Sequence, residues 1–204
     1  MTVINSKQAL WATYHYLKRL DPEAPQVAVR VEIYELSMFQ ILQLQESAAK
    51  HANHKPERDA ALRAVREGKA KLISTNSGVA SMGSGALIDD NQQLPFPAGK
   101  LANIAADDWA SKRPQRNHGT RLYFEPLILA DLKTIELSVH FEHHNSKPEK
   151  STIGPTLFPK RIRTQVWLEN GGYLIIGSWS AGKGENADRW YLVFLTANLQ
   201  GQPN

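Results

Sequence analysis

The sequence predicts an α+β fold, a mainly antiparallel β-sheet of about seven strands carrying two or three helices. Three observations lead there. Gln26–Leu36 alternates strictly, with Val27, Val29, Val31 and Ile33 on one side and Arg30 and Glu32 on the other, the period of a half-buried strand. Asn170-Gly171 separates two apolar-rich runs, and this dipeptide tolerates the positive φ of a tight hairpin turn. Helical spacing is confined to the first third of the chain, at 6–20, 37–50 and 57–67.

Taken in order, Asn5-Ser6 caps a helix over 6–20, with Leu10, Tyr14, Leu17 and Leu20 at near-helical spacing and Lys18 and Arg19 suiting the dipole of its last turn. Asp21-Pro22 stops it, and the alternating strand follows. Ser37–Lys50 reads as a helix, His51–Pro56 as a loop, and Glu57–Glu67 as a helix closed by Gly68. Lys71–Thr75 is a short strand, Asn76–Ser84 a Gly/Ser-rich turn and Gly85–Ile88 another strand. Asp89–Arg121 carries three prolines and little periodicity, the pattern of a long binding or mobile loop. Leu122–Leu129 is a strand whose Pro126 argues for an edge or a bulge. Lys133–Phe141 alternates cleanly, and Asn145–Pro159 is a polar loop. Arg161–Gly177 reads as a β-hairpin near the middle of the sheet, because Tyr173–Ile176 is apolar on both faces. After the glycine-rich turn Ser178–Asp188, Trp190–Thr196 is a final buried strand. With no repeat and no linker, the expectation is one domain over 1–204: the helix 6–20 and a sheet core at 26–36 and 70–199.

Composition narrows the function classes. A net charge of +4 on 204 residues is mildly basic, and no Lys/Arg block is long enough for a nucleic-acid arm. The absence of cysteine excludes disulfides and thiolate metal sites. No apolar run reaches the roughly 18–20 residues of a membrane-spanning helix. The start of the chain lacks a signal-peptide layout, so the expectation is either a cytoplasmic protein or an exported one whose leader has been removed.

Three constellations bear on chemistry. Gly177-Ser-Trp-Ser-Ala-Gly182-Lys183 fills the first seven positions of a phosphate loop, but the eighth is Gly184 rather than the Ser/Thr that holds Mg²⁺, and Glu185–Arg189 cannot supply the helix. It reads as a turn. His140, Glu142 and His144 share one strand face and have the donor types of a zinc or iron site. Thr134, Glu136 and Ser138 continue that face, which reads as solvated. Basic residues gather in Lys112–Arg121 and Lys160–Arg163; beside exposed aromatics such charges can track a nucleic-acid backbone, but the modest net charge favours a solvated loop and a strand's polar face. No Gly-X-Ser-X-Gly elbow, cysteine nucleophile or carboxylate pair points to catalysis. The chain is expected not to be an enzyme, with no catalytic, cofactor or metal residues. Its expected interaction surface is Arg116, Arg121, Arg161, Arg163, Trp167 and Trp179.

Four ordered blocks resemble the C-terminal domain of secretins, the ring-forming outer-membrane channels of type II and type III secretion and type IV pili. They are Leu20–Leu36, Ala70–Thr75 through Gly85-Ala86, Gly119-Thr-Arg-Leu-Tyr-Phe-Glu-Pro126 with the strand Ile135–Phe141, and Arg163–Gly177 with the closing Phe194–Thr196. Together they span roughly residues 16–199. Two departures stand out. Gly177 is followed by Ser178-Trp179 instead of a second glycine and a long segment, and Ser37–Lys69 is helical where long gate or lip strands would lie. A membrane strand needs about 9–11 residues, and no surplus of such strands is evident. The resemblance therefore implies a secretin-like fold without the pore-forming parts. It implies a soluble binding or assembly protein of a type IV pilus or type II secretion-like apparatus, in the periplasm or at the outer membrane or cell surface. Its partners would be pilus or secretion proteins and copies of itself. From the residues alone the alternative is an OB-like sheet binding single-stranded nucleic acid or a glycan, motivated by Arg161, Arg163 and Trp167. The modest net charge disfavours nucleic acid as a partner.

Overall fold

A computed structural model describes residues 13–14, 25–95, 115–144, 159–182 and 188–200, without the side chains of 91–95 and 115–118. Among these the elements are β1 (Gln26–Ser37), α1 (Met38–Ala48), α2 (Lys55–Arg66), β2 (Lys71–Ser81), β3 (Ala86–Pro95), β4 (Gln115–Ile128), β5 (Thr134–His144), β6 (Lys160–Glu169), β7 (Tyr173–Ser180) and β8 (Arg189–Gln200). The α+β expectation holds, with eight strands in two sheets instead of about seven in one. Of the helix expected over 6–20, Thr13 and Tyr14 are helical and the rest lies outside the described residues.

The first sheet runs β2-β1-β8-β7 and the second β3-β4-β5-β6, every described pairing antiparallel. They pack face to face over one core. Val27, Val29, Val31, Ile33, Val193 and Leu195 come from the first sheet, and Leu122, Phe124, Ile135, Leu137 and Phe141 from the second. α1 and α2 cover the far face of the first sheet, where Tyr34, Leu36, Leu192 and Phe194 meet Ile41 and Ala61. The result is three layers: helices, a sheet whose far face they cover in part while Arg30, Thr75, Ser77 and Val79 stay exposed, and a sheet with one face in water.

This layering corrects one assignment. Glu32 does not face out: it is buried under α2, where Arg58 pairs with both its oxygens at 2.9 Å and the Tyr34 hydroxyl donates to Oε2 at 2.8 Å. Burial alone would raise its pKa. The hydrogen bonds from Arg58 and Tyr34 and the charges of Arg58 and Arg30 hold it below the ordinary value instead. The helices themselves follow from local chemistry. Ser37 and Gln40 form a reciprocal capping box at α1, Pro56 occupies the first turn of α2, and Gly68, at φ 72°, follows its end.

The Asn170-Gly171 turn is present, but it does not make a hairpin. β6 pairs with β5 and β7 with β8, so the two runs lie at the border of different sheets. The turn is fastened to other strands: Gly171 N–H donates to the Ala197 carbonyl, Asn170 N–H to that of Lys133, and Leu199 N–H to Asn170 Oδ1. It carries the chain across the end of the sandwich. Facing rather than pairing, β6 and β7 come so close that a Cβ on Gly177 would stand 2.7 Å from Ile162 Cδ1.

Glycine and polarity also misled on extent. Asn76–Ser81 is strand, not turn, and Gly78 lies opposite Val29 where a Cβ would meet Ile88 Cδ1 at 2.6 Å. Its missing side chain lets the sheets approach. Asp89–Pro95 and Gln115–Arg121 are likewise paired strand rather than loop. Their polar residues hide any apolar period, and only 96–114 of that stretch falls outside the described residues. β4 is an interior strand, yet Pro126 lies past the end of the β3 ladder, which begins at Phe124, so its missing N–H breaks nothing on that side.

Candidate functional site

The wet face of the second sheet collects most of the residues expected at an interaction surface. Cross-strand register forms it in rows. One row reads Asp89–Arg121–Glu142–Arg161, alternating in sign across all four strands. Its ends are bonded within the row: Arg121 Nη2 is 2.6 Å from Asp89 Oδ2, and Arg161 Nε is 2.8 Å from Glu142 Oε1. The next row is Leu87–Tyr123–His140–Arg163, where Arg163 Nε donates to His140 Nε2 at 3.3 Å. Two rows further, Trp167, 57% exposed, donates from Nε1 to Glu136 Oε2 at 3.1 Å. Opposite charges on neighbouring strands are mutually stabilising, by roughly 0.2–1 kcal/mol a pair.

Arg121, Arg161, Arg163 and Trp167 therefore share a face. Arg116 lies in β4 opposite Leu94, its side chain outside the described set. Trp179 is not on that face. A register irregularity between Ile175 and Gly177 flips the parity of β7 and turns Trp179 inward, where its ring lies 5.9 Å from those of both His143 and Tyr191. The phosphate-loop resemblance dissolves in the same strand, because Ser178–Ser180 are extended and Lys183 lies outside the described residues.

His140, Glu142 and His144 do line up. His140 Nε2 and His144 Nε2 stand 3.3 and 3.6 Å from the Glu142 oxygens. Glu142 is committed to Arg161, however. Against a burial effect that raises its pKa, the Arg161 charge, then the hydrogen bond from His144 and the charge of His140, hold the carboxyl below its usual range. Among the described residues no three His, Asp or Glu side chains converge as a metal set. At the other end of the face a groove of about 590 Å³ is lined by Tyr14, Gly83, Pro126, Leu129, Glu136 and Gln165. Tyr14 closes one end, its hydroxyl donating to the Met82 carbonyl, and burial pushes its pKa up to about 12.

Sequence inspection missed Asp89 as a member of this face because it lay in a stretch read as loop. The signal, alternation of sign, exists only between strands and appears once their register is known. The OB-like alternative expected one small barrel-like sheet, whereas the described strands form two separate sheets.

Comparison with known proteins fits this architecture. Residues 64–183 match the Secretin family model, described as a bacterial type II and III secretion system protein. The chain belongs to the secretin family. Solved structures share the fold. One is the ETEC pilotin–secretin AspS–GspD complex, at 11% identity over 97% of this chain and 54% of that one, with TM-score 0.52. Another is the type II secretin GspD of enteropathogenic Escherichia coli, at 13% identity over 96% and 75%, with TM-score 0.53. A third is the InvG secretin-domain β-barrel of the Salmonella SPI-1 injectisome, at 12% identity over 98% and 70%, with TM-score 0.52. The chain thus spans about half the length of the first of these secretins. No curated protein sequence matches it.

Among the described residues no helix is long and apolar enough to cross a membrane. Strand length is another matter. β3, β5 and β6 have 10, 11 and 10 residues and β4 has 14, so strands of membrane-crossing length are present, against the expectation that no surplus of them exists.

Proposed function

We propose that this chain is an assembly component of a bacterial secretion or type IV pilus apparatus, acting in the periplasm or at the outer membrane as one secretin-like domain. It works by strand-edge association with copies of itself and with envelope proteins, not by catalysis. The observation that carries this reading is the combination of secretin-family membership with an open-sided sandwich. Each sheet ends in two border strands, β2 and β7 in one and β3 and β6 in the other. Border strands present unpaired backbone groups, a ready template for another chain, and of these four β7 is capped in part by Asn53 and His54. The polar wet face, with Glu125, Ser138, His140, Glu142 and Gln165 between its aromatics, suits a soluble wall better than a lipid-facing belt, which supports a relative without a membrane-embedded pore. Sedimentation velocity on the purified full chain tests the reading. Concentration-dependent oligomers are expected. A chain that stays monomeric across the range and captures no envelope protein after in-cell crosslinking would overturn it.

A further inference from the structure

We infer that the groove beside Tyr14, at the Glu136 end of the wet face, binds an extended peptide segment of a partner protein, one that presents two cations two residues apart between apolar side chains. This goes beyond the edge association proposed above and does not depend on it. The groove is a built feature. Its floor is β4 and β5, crossed by the rows Glu125–Ser138–Gln165 and Leu127–Glu136–Trp167. Its wall is the turn at Met82-Gly83, tied to β4 by the Gly83 N–H, which donates to the Pro126 carbonyl at 2.7 Å. Gly83 has φ 67°, and a Cβ there would run into the Tyr14 ring. The glycine leaves room for that ring to line the groove.

Charge selects the occupant. Glu125 and Glu136 line the groove, and no Lys or Arg does. Glu125 stands in no ion pair among the described residues. Glu136 accepts from neutral donors, Trp167 Nε1 at 3.1 Å and Gln165 Nε2, which orient its charge without cancelling it. Around these carboxylates the lining is apolar, with Met82, Pro126, Leu127 and Leu129. Lysine or arginine set among apolar residues matches both properties, and the Tyr14 ring adds a face suited to a guanidinium. At the opposite end of the same face Lys160 and Arg163 are exposed and would repel such a segment.

The sheet also sets the spacing. Glu125 and Glu136 are diagonal neighbours on adjacent strands, about 7–8 Å apart at their backbone positions. Alternate residues of an extended chain are about 6.6–6.8 Å apart. A segment such as Leu-Ser-Lys-Thr-Arg-Ser-Leu therefore sets its Lys and Arg over the two carboxylates and its leucines on the apolar flanks.

Fluorescence anisotropy of that peptide, carrying a neutral dye, tests this on the full chain. Wild type should bind it. The Glu125→Gln/Glu136→Gln chain should bind at least about tenfold more weakly, with unchanged circular dichroism. Each single exchange should lose about threefold, and added salt should weaken wild type toward the variants. The acidic peptide Leu-Ser-Glu-Thr-Glu-Ser-Leu should not bind, and Lys160→Gln, remote from the groove, should change nothing. Equal binding by wild type and the double variant, or no binding by wild type, would overturn the inference. So would a chain that ignores the peptide while its self-association weakens in the double variant, because the occupant is then a second copy. Sedimentation velocity without peptide separates the two readings. A monomeric chain that takes the peptide keeps this inference and loses the assembly reading, and oligomers that ignore the peptide do the reverse.

Discussion

The two sheets are equal in strand number and opposite in character. The first is packed by the second sheet on one face and in part by α1 and α2 on the other, where its Glu32 pairs with Arg58 of α2 beneath that helix. The second buries one face and gives the other to a charge ladder. The difference teaches that the same residue types have different roles by layer. An ion pair under a helix governs stability, whereas one on the wet face governs how the surface looks to a partner.

Variants should break that contrast unequally. Arg58→Ala leaves Glu32 buried without its guanidinium, and loss of one partner of a buried pair typically costs about 3–5 kcal/mol. Denaturant titration should show that loss, with Arg58→Lys recovering part of it. The carboxyl of Glu32 is held below its ordinary value, so the wild-type pair contributes fully above the unfolded pKa near 4.3 and the contribution fades as pH falls through the lower folded value. The Arg58→Ala deficit should therefore shrink in strong acid, and a pH-independent deficit would contradict the linkage. Gly78→Val should cost about 1–3 kcal/mol, because its Cβ would intrude on Ile88 between the sheets, and truncating Ile88 to Ala in the same chain should return part of that. Arg161→Ala should be smallest, within about 1 kcal/mol, because that guanidinium is 58% exposed and water screens its pair with Glu142. A large loss there would mean that the ladder holds the fold together rather than marking its surface.

What the sequence made legible follows from where its periods are simple. β1 and β5 alternate, and both are correct strands; the helices read at 37–50 and 57–67 from helical spacing, the second closed by Gly68, lie at 38–48 and 55–66. The partition into two sheets was not, because Asn170-Gly171 dictates a turn but not which strands its flanks will pair with. Polar strands were missed at Asp89–Pro95 and Gln115–Arg121, where neither face supplies an apolar repeat to detect. Of the surface residues, Arg121, Arg161, Arg163 and Trp167 share one face, and Trp179 does not join them, since one irregularity in β7 reverses its direction. No single-strand pattern encodes such a reversal.

The crossover at Asn170 has a mechanical consequence. Tension on β6 passes, through the bonds of Asn170 and Gly171, to Leu199 and Ala197 of β8, an interior strand of the first sheet. Load applied at the rim is thereby delivered to the interior, and the outermost strand is not left to peel away by itself.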